Sequence, residues 1–172
     1  MPTIPGKPGL LTGETPILPV EQTYSILKSL HGAGKILGVG TGRIEYEINA
    51  PLDNWNIRQF FDPNRLITYT DIENAEKNSK PAVLTKPHPY MFVKGMLGRG
   101  YDDNAIINRD YDRTLIQKTL VVGDAGADMF SAQAAGMDFA AVLTGVSGEK
   151  TRYFFEDNNA TYILKDISEL CN

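Results

Sequence analysis

Thr41 stands between Gly40 and Gly42, just after the apolar run Ile36-Leu37-Gly38-Val39. Its hydroxyl can donate to an anion, and the two glycines let backbone amides approach one closely. A helix starting soon after would add further amide donors. Asp124 and Asp128 lie four residues apart across an expected strand-to-helix turn. Hard carboxylate oxygens at that spacing suit Mg2+, which takes one or two carboxylates together with water and phosphate oxygens. Lys86, in Lys86-Pro87-His88-Pro89, offers a compact positive charge for a phosphate or for clustered carboxylates. A hydroxyl, a lysine and an acidic pair are sensible parts of a phosphoryl-transfer site, where positioning and charge neutralisation dominate. Each also has an ordinary rival role. Thr41 could be a turn residue, Asp124 an N-cap, and Asp128 a first-turn acid that favours its helix terminus. Lys80, before Pro81, competes with Lys86 as the site lysine.

The elements that must position these residues follow from periodicity and punctuation. Residues 1–19 carry Pro2, Pro5, Pro8, Pro16 and Pro19 and read as an extended lead-in. Residues 20–172 read as one α/β core. Helices are expected over Val20 to Leu30, then after Arg43 through Trp55 to Phe61 with an interruption near Pro51, and over Tyr90 to Leu97, Ala127 to Ala135 and Glu149 to Asn158. Short apolar strands are expected at Ile36–Val39, Leu66–Tyr69, Thr119–Val122, Phe139–Leu143 and Tyr162–Leu164, with a last turn at Asp166–Leu170. Glu73 to Lys80 reads as a polar connection, and Gly98 to Lys118 as a charged, mostly surface stretch. Strands alternating with helices make a parallel sheet covered on both faces. Such sheets bind ligands beyond the carboxyl ends of their strands. Thr41, Thr70-Asp71 and Asp124 all fall at such ends, so the pattern points to a single site. Asp71 suits a helix cap as well as the site. His88, between two prolines, reads as structural, Arg43 as a surface residue, and His31 as a dipole partner at a helix C-terminus. Trp55, Phe60 and Phe61 read as core.

Composition narrows the classes. The chain has 172 residues, 42% hydrophobic and 22% charged, which suits one soluble globular domain. A net charge of −4 argues against a general nucleic-acid surface. No apolar run approaches the roughly 18–20 residues of a membrane span. Cys171 is the single cysteine, which excludes an internal disulfide and fits a reducing, cytoplasmic setting.

Gly38-Val39-Gly40-Thr41-Gly42-Arg43 resembles motif II of the haloacid-dehalogenase-like (HAD) superfamily, an apolar strand ending in Thr or Ser. Lys86-Pro87-His88-Pro89 resembles motif III, and Val121-Val122-Gly123-Asp124-Ala125-Gly126-Ala127-Asp128 resembles motif IV, of the form GDxxxD. The three come in the family's order, and the likeness covers about residues 14–170. It implies a Rossmann-like core and a Mg2+-dependent phosphatase of a small phosphorylated metabolite, working through an aspartyl-phosphate. It implies that Thr41 and Gly42 bind a phosphoryl oxygen and that Lys86 neutralises charge. Asp124 would bind Mg2+, and Asp128 would support the metal or orient Lys86.

The same resemblance calls for a strand ending in DxD, carrying the nucleophile, on the N-terminal side of motif II. The first aspartate in this sequence is Asp53. In the family that strand lies between the motif II and motif IV strands, so the expectation is a sheet without its central strand, in a chain that is inactive or nearly so alone. A truncated chain, a preceding segment or a second subunit that completes the sheet, and a non-catalytic phosphate- or partner-binding domain are the alternatives. One internal stretch, Asp110-Tyr111-Asp112-Arg113-Thr114-Leu115, has the DxDxTL form. It lies too close to the Thr119 strand for an easy crossover and otherwise reads as a charged loop.

Overall fold

The computed structural model describes residues 14–79 and 83–171. Helix α1 spans Val20–Gly32 and leads to strand β1, Leu37–Gly40. Helix α2, Glu45–Asn54, returns to β2, Phe61–Ile67, which is followed by α3, Tyr69–Asn78. Helices α4, Tyr90–Leu97, and α5, Asp103–Ile107, precede β3, Leu120–Gly123. Then α6, Gly126–Ala135, β4, Asp138–Val142, α7, Arg152–Asp157, and β5, Tyr162–Leu164, complete the order.

All strand pairs are parallel. β1 pairs with β2, setting Val39 opposite Leu66 and Gly40 opposite Ile67. β3 pairs with β4 and β4 with β5, setting Val122 opposite Ala140 and Ala141 opposite Ile163. Parallel neighbours need crossovers rather than tight turns, and α2, α6 and α7 supply them. Among the described residues no strand joins β1 to β3, so the sheet is divided in two. The break falls between the Thr41 strand and the Asp124 strand. Leu120 and Val122 on β3 are 41% and 37% exposed, whereas Val121 between them is buried. One face of β3 is therefore uncovered.

Helix α4 holds the two halves together. It packs on β1, on β2 and on α6. Its Tyr90, Met91 and Val93 are buried in one cluster with Ile67 of β2, Met129 and Ala132 of α6, and Phe139 of β4. A smaller cluster, Leu52, Ile57, Phe60 and Leu66, lies under α1 with Trp55 and Phe61 against it, so the aromatic set is core as expected.

Two expectations are corrected. The second strand starts at Phe61 rather than Leu66, and α3 replaces the expected strand end and polar connection over residues 69–78. The cause is a capping box: the Asp71 carboxylate accepts from Thr68 N at 2.8 Å and from the Thr68 hydroxyl at 2.9 Å. Ile72 and Ala75, three apart, are fully buried, a narrow inward stripe inside a polar sequence. The helical stretch expected after Arg43 is α2, but it runs through Pro51 without interruption and ends at Asn54, and only a short 3-10 turn occupies Arg58–Phe60. The remaining elements lie close to their expected places, and Gly136 closes α6 in the left-handed region (φ 81°).

A buried polar cluster pins α5 to α4. Lys94, 5% exposed, donates to Asp103 Oδ1 and to the Tyr101 carbonyl, both at 2.5 Å. The Tyr90 hydroxyl donates to Asp103 Oδ1 at 2.6 Å. Burial, and then the Asp103 carboxylate, push the Tyr90 phenol far above its usual range. Removing one partner of a buried pair strands the other charge. Asp103→Ala is therefore expected to lower unfolding free energy by about 3 kcal/mol, measured by urea denaturation. Asp103→Asn should lose less, because it keeps an acceptor for Tyr90.

Candidate functional site

Thr41 continues the β1 ladder past its last strand residue, its amide donating to Ile67 O at 3.0 Å. Its Oγ1 accepts from Arg43 N at 3.2 Å. With the oxygen so engaged, the hydroxyl proton is left to donate to an incoming anion. Gly42 follows, exposed, with open space where a side chain would stand. Arg99 fixes the surroundings of this loop from below. Its Nη2 donates to Leu66 O at 2.6 Å and to Asp71 Oδ2 at 3.1 Å, and Nη1 reaches Glu45 at 3.2 Å. Its Nε lies 2.9 Å from Asp71 Oδ1 without hydrogen-bond alignment, so that contact is ionic only.

Lys86 crosses to the β1 end. Its Nζ donates to Gly40 O at 2.8 Å and lies 2.6 Å from Asp128 Oδ1. The ammonium also sits 4.8 Å from the centroid of the Phe92 ring. Both charged side chains are largely sheltered, 18% exposed for Lys86 and 14% for Asp128. One lysine therefore links the end of β1, the first turn of α6 and the face of α4.

Two glycines make this approach possible. A Cβ at Gly40 would lie 2.8 Å from Phe92 Cε1, and one at Gly123 would lie 2.8 Å from Asp128 Cβ and Oδ2. Any larger residue would displace the ring that backs the lysine or the carboxylate that holds it. The Lys86 loop is itself anchored to α6: the Ser131 hydroxyl, fully buried, donates to His88 O at 2.7 Å. The His88 Nδ1 accepts from Tyr90 N at 3.1 Å, which fixes the first turn of α4.

Asp124 is exposed at the end of β3, and a Cβ at Gly145 would come within 3.0 Å of its Oδ2. Among the described residues no group of three or more His, Cys, Asp or Glu side chains gathers at one point. The donor set nevertheless fits Mg2+, because one exposed carboxylate plus water and phosphate oxygens is an ordinary shell for that ion. Asp128 is already engaged by Lys86, so its geometry matches the orienting role more closely than the ligand role.

The other sequence candidates separate cleanly. Asp71 is turned to Thr68 and Arg99, which is the cap reading. Arg43 pairs with Glu14 at 2.5 Å. Asp110 to Leu115 is an exposed, irregular loop in which Asp112 accepts from Thr114 N at 2.8 Å and from its hydroxyl at 2.9 Å. No strand ends there. Lys80 lies outside the described residues. Phe92, Arg99 and Ser131 were not anticipated. For Ser131 a signal existed: it follows Asp128 by three residues, hence on the same face of α6.

The sequence model of the HAD-hydrolase-like family matches residues 83–170, a stretch that holds Lys86, Asp124 and Asp128. Pyrophosphatase PpaX of Halalkalibacterium halodurans is 26% identical over 153 residues, covering 88% of this chain and 58% of that protein. Pyrophosphatase PpaX of Anoxybacillus flavithermus is 26% identical over 150 residues, covering 87% and 57%. The crystal structure of Northeast Structural Genomics Consortium target ZR25 superposes with a TM-score of 0.78 at 29% identity, over 89% of this chain and 41% of that one. The chain thus spans somewhat more than half the length of these curated relatives and less than half of the solved chain.

Burial and the nearby Arg109 hold the His88 imidazole below its usual pKa of 6.5. The unfolded chain then binds more protons than the folded one at mildly acid pH. The stability that His88 contributes as a neutral ring is present above pH 6.5 and is lost as pH falls through its folded pKa. Thermal melts between pH 7.5 and 5 are expected to show this decline, and His88→Gln to flatten the slope. An unchanged slope in the variant would assign the decline to other groups.

Proposed function

The chain belongs to the HAD-hydrolase-like family, and on that premise we propose that Thr41, Lys86, Asp124 and Asp128 form the phosphoryl cradle of a phosphatase acting on a small phosphorylated metabolite. One observation carries this reading. Lys86 stands 2.8 Å from Gly40 O and 2.6 Å from Asp128 Oδ1, so a single cation joins the Thr41 strand end to the helix that follows Asp124. Thr41 would donate to a phosphoryl oxygen, Gly42 would offer its amide, and Asp128 would keep the lysine charged and aimed. Asp124 would hold Mg2+, which when bound supplies Lewis-acid charge neutralisation.

The reaction proposed for the complete assembly is ester hydrolysis through an aspartyl-phosphate. A carboxylate oxygen attacks phosphorus, the ester P–O bond breaks, the alcohol leaves with a proton, and water then cleaves the acyl phosphate. That aspartate would enter on a strand seated between β1 and β3, from a preceding segment or a partner subunit. The edge of β3 away from β4, which no described strand pairs, supports such seating, because unpaired backbone groups at a buried edge are costly. A cytoplasmic location belongs to the same proposal. Among the described residues no helix is long and apolar enough to cross a membrane. The second reading is a phosphate- or partner-binding domain without turnover.

Calorimetry tests the cradle. Residues 1–172 are expected to bind inorganic phosphate only with Mg2+ present, and Asp124→Asn to abolish that binding. Thr41→Val should weaken it about tenfold, the size of one lost hydrogen bond to a charged group. Alone, these residues are expected not to hydrolyse a generic phosphate ester. Turnover by them that Asp124→Ala abolishes would refute the need for an added strand.

A further inference from the structure

A recess of about 370 Å³ opens beside Asp124, between the start of α6, the loop after β4 and α7. Its size falls within the range of small-molecule sites. Gly145 forms part of the wall nearest Asp124, and a Cβ there would press on the carboxylate at 3.0 Å. Beyond Asp124 the walls change character. Val146 stands fully exposed at the rim, and Ser147 and Thr151 bring hydroxyls. Thr151 Oγ1 donates to Gly148 O at 2.7 Å, which leaves its lone pairs to accept. Phe154, 40% exposed, is held edge-on between Phe130 at 6.0 Å and Phe155 at 5.4 Å.

Among the described residues Lys, Arg and His are absent from this lining. The neighbouring Arg152 is paired with Glu149 at 2.9 Å. A second phosphoryl group entering here would bring negative charge to walls with no basic side chain to meet it. An alcohol portion carrying hydroxyls would instead find two polar acceptors and an aromatic face for its C–H surface.

We propose that this recess receives the uncharged, hydroxyl-bearing alcohol portion of a phosphate monoester, and that it selects such esters over pyrophosphate. The assignment rests on the phosphoryl cradle proposed above and names its substrate class. It departs from what the names of the curated relatives would suggest.

The test is calorimetry on residues 1–172 in excess Mg2+, with inorganic phosphate, glucose 6-phosphate and pyrophosphate as probes. The ester is expected to bind about tenfold more tightly than phosphate, and pyrophosphate no more tightly than phosphate. Phe154→Ala should bring the ester-to-phosphate ratio to about one. Val146→Lys, at a fully exposed position that poses no folding risk, should raise the pyrophosphate-to-phosphate ratio several-fold. A wild-type preference for pyrophosphate, or an ester ratio unmoved in a Phe154→Ala protein with normal circular dichroism, overturns the proposal. Phosphate binding without ester preference removes the recess assignment alone. Absence of phosphate binding removes the cradle and the recess together.

Discussion

The Lys86–Asp128 pair is the interaction on which the site depends. It brings together segments far apart in sequence: the end of β1, the loop before α4 and the first turn of α6. Among the described residues neither half of the divided sheet hydrogen-bonds to the other through strands, so side chains carry the register between them. The lysine does this with one short bond to each side. Its ammonium is sheltered, so the Asp128 carboxylate, the Gly40 carbonyl and the Phe92 ring must together replace water. An ammonium that satisfies an aspartate and a carbonyl at once keeps a third N–H donor for another acceptor. Phosphate would complete its donor set without requiring the lysine to move.

The rest of the fold serves that placement. Helix α4 contributes Tyr90, Met91 and Val93 to the larger core cluster and turns Phe92 toward the lysine. Ser131 fastens the preceding loop to α6, so the lysine and its aspartate are referenced to the same helix. The polar contacts that build the surroundings (Arg99 with Leu66 O and Asp71, Lys94 with Asp103) lie one layer outside. The chemistry-bearing residues are few, and the residues that hold them are many and mostly buried.

Much of this was legible in the sequence because the signals were local. Apolar runs ending in glycine marked β1 and β3, Gly136 marked the end of α6, and the prolines around His88 marked the start of α4. The Asp124 to Asp128 spacing placed both acids at one strand-to-helix turn. What sequence spacing could not divide was their labour, since that depends on which acid meets Lys86 across 42 residues of chain. Helix α3 was missed because its buried stripe is only Ile72 and Ala75, too narrow for periodicity to register. Asp71 suited a helix cap as well as the site, but its partner Thr68 fell inside an expected strand. Arg99 was invisible because its partners come from three separate elements.

The divided sheet and the intact cradle also constrain each other. Had the two halves drifted apart, the lysine could not reach both Gly40 O and Asp128. Had they closed edge to edge, neighbouring parallel strands would stand about 4.8 Å apart, and Gly40 and Gly123 would compete for the space now held by Lys86 and Asp128. The bridge instead extends 2.8 Å from the β1 carbonyl to the ammonium and 2.6 Å on to the carboxylate that rests against Gly123. The Lys86 bridge thus spans the break between the two half-sheets, tying the end of β1 to the first turn of α6.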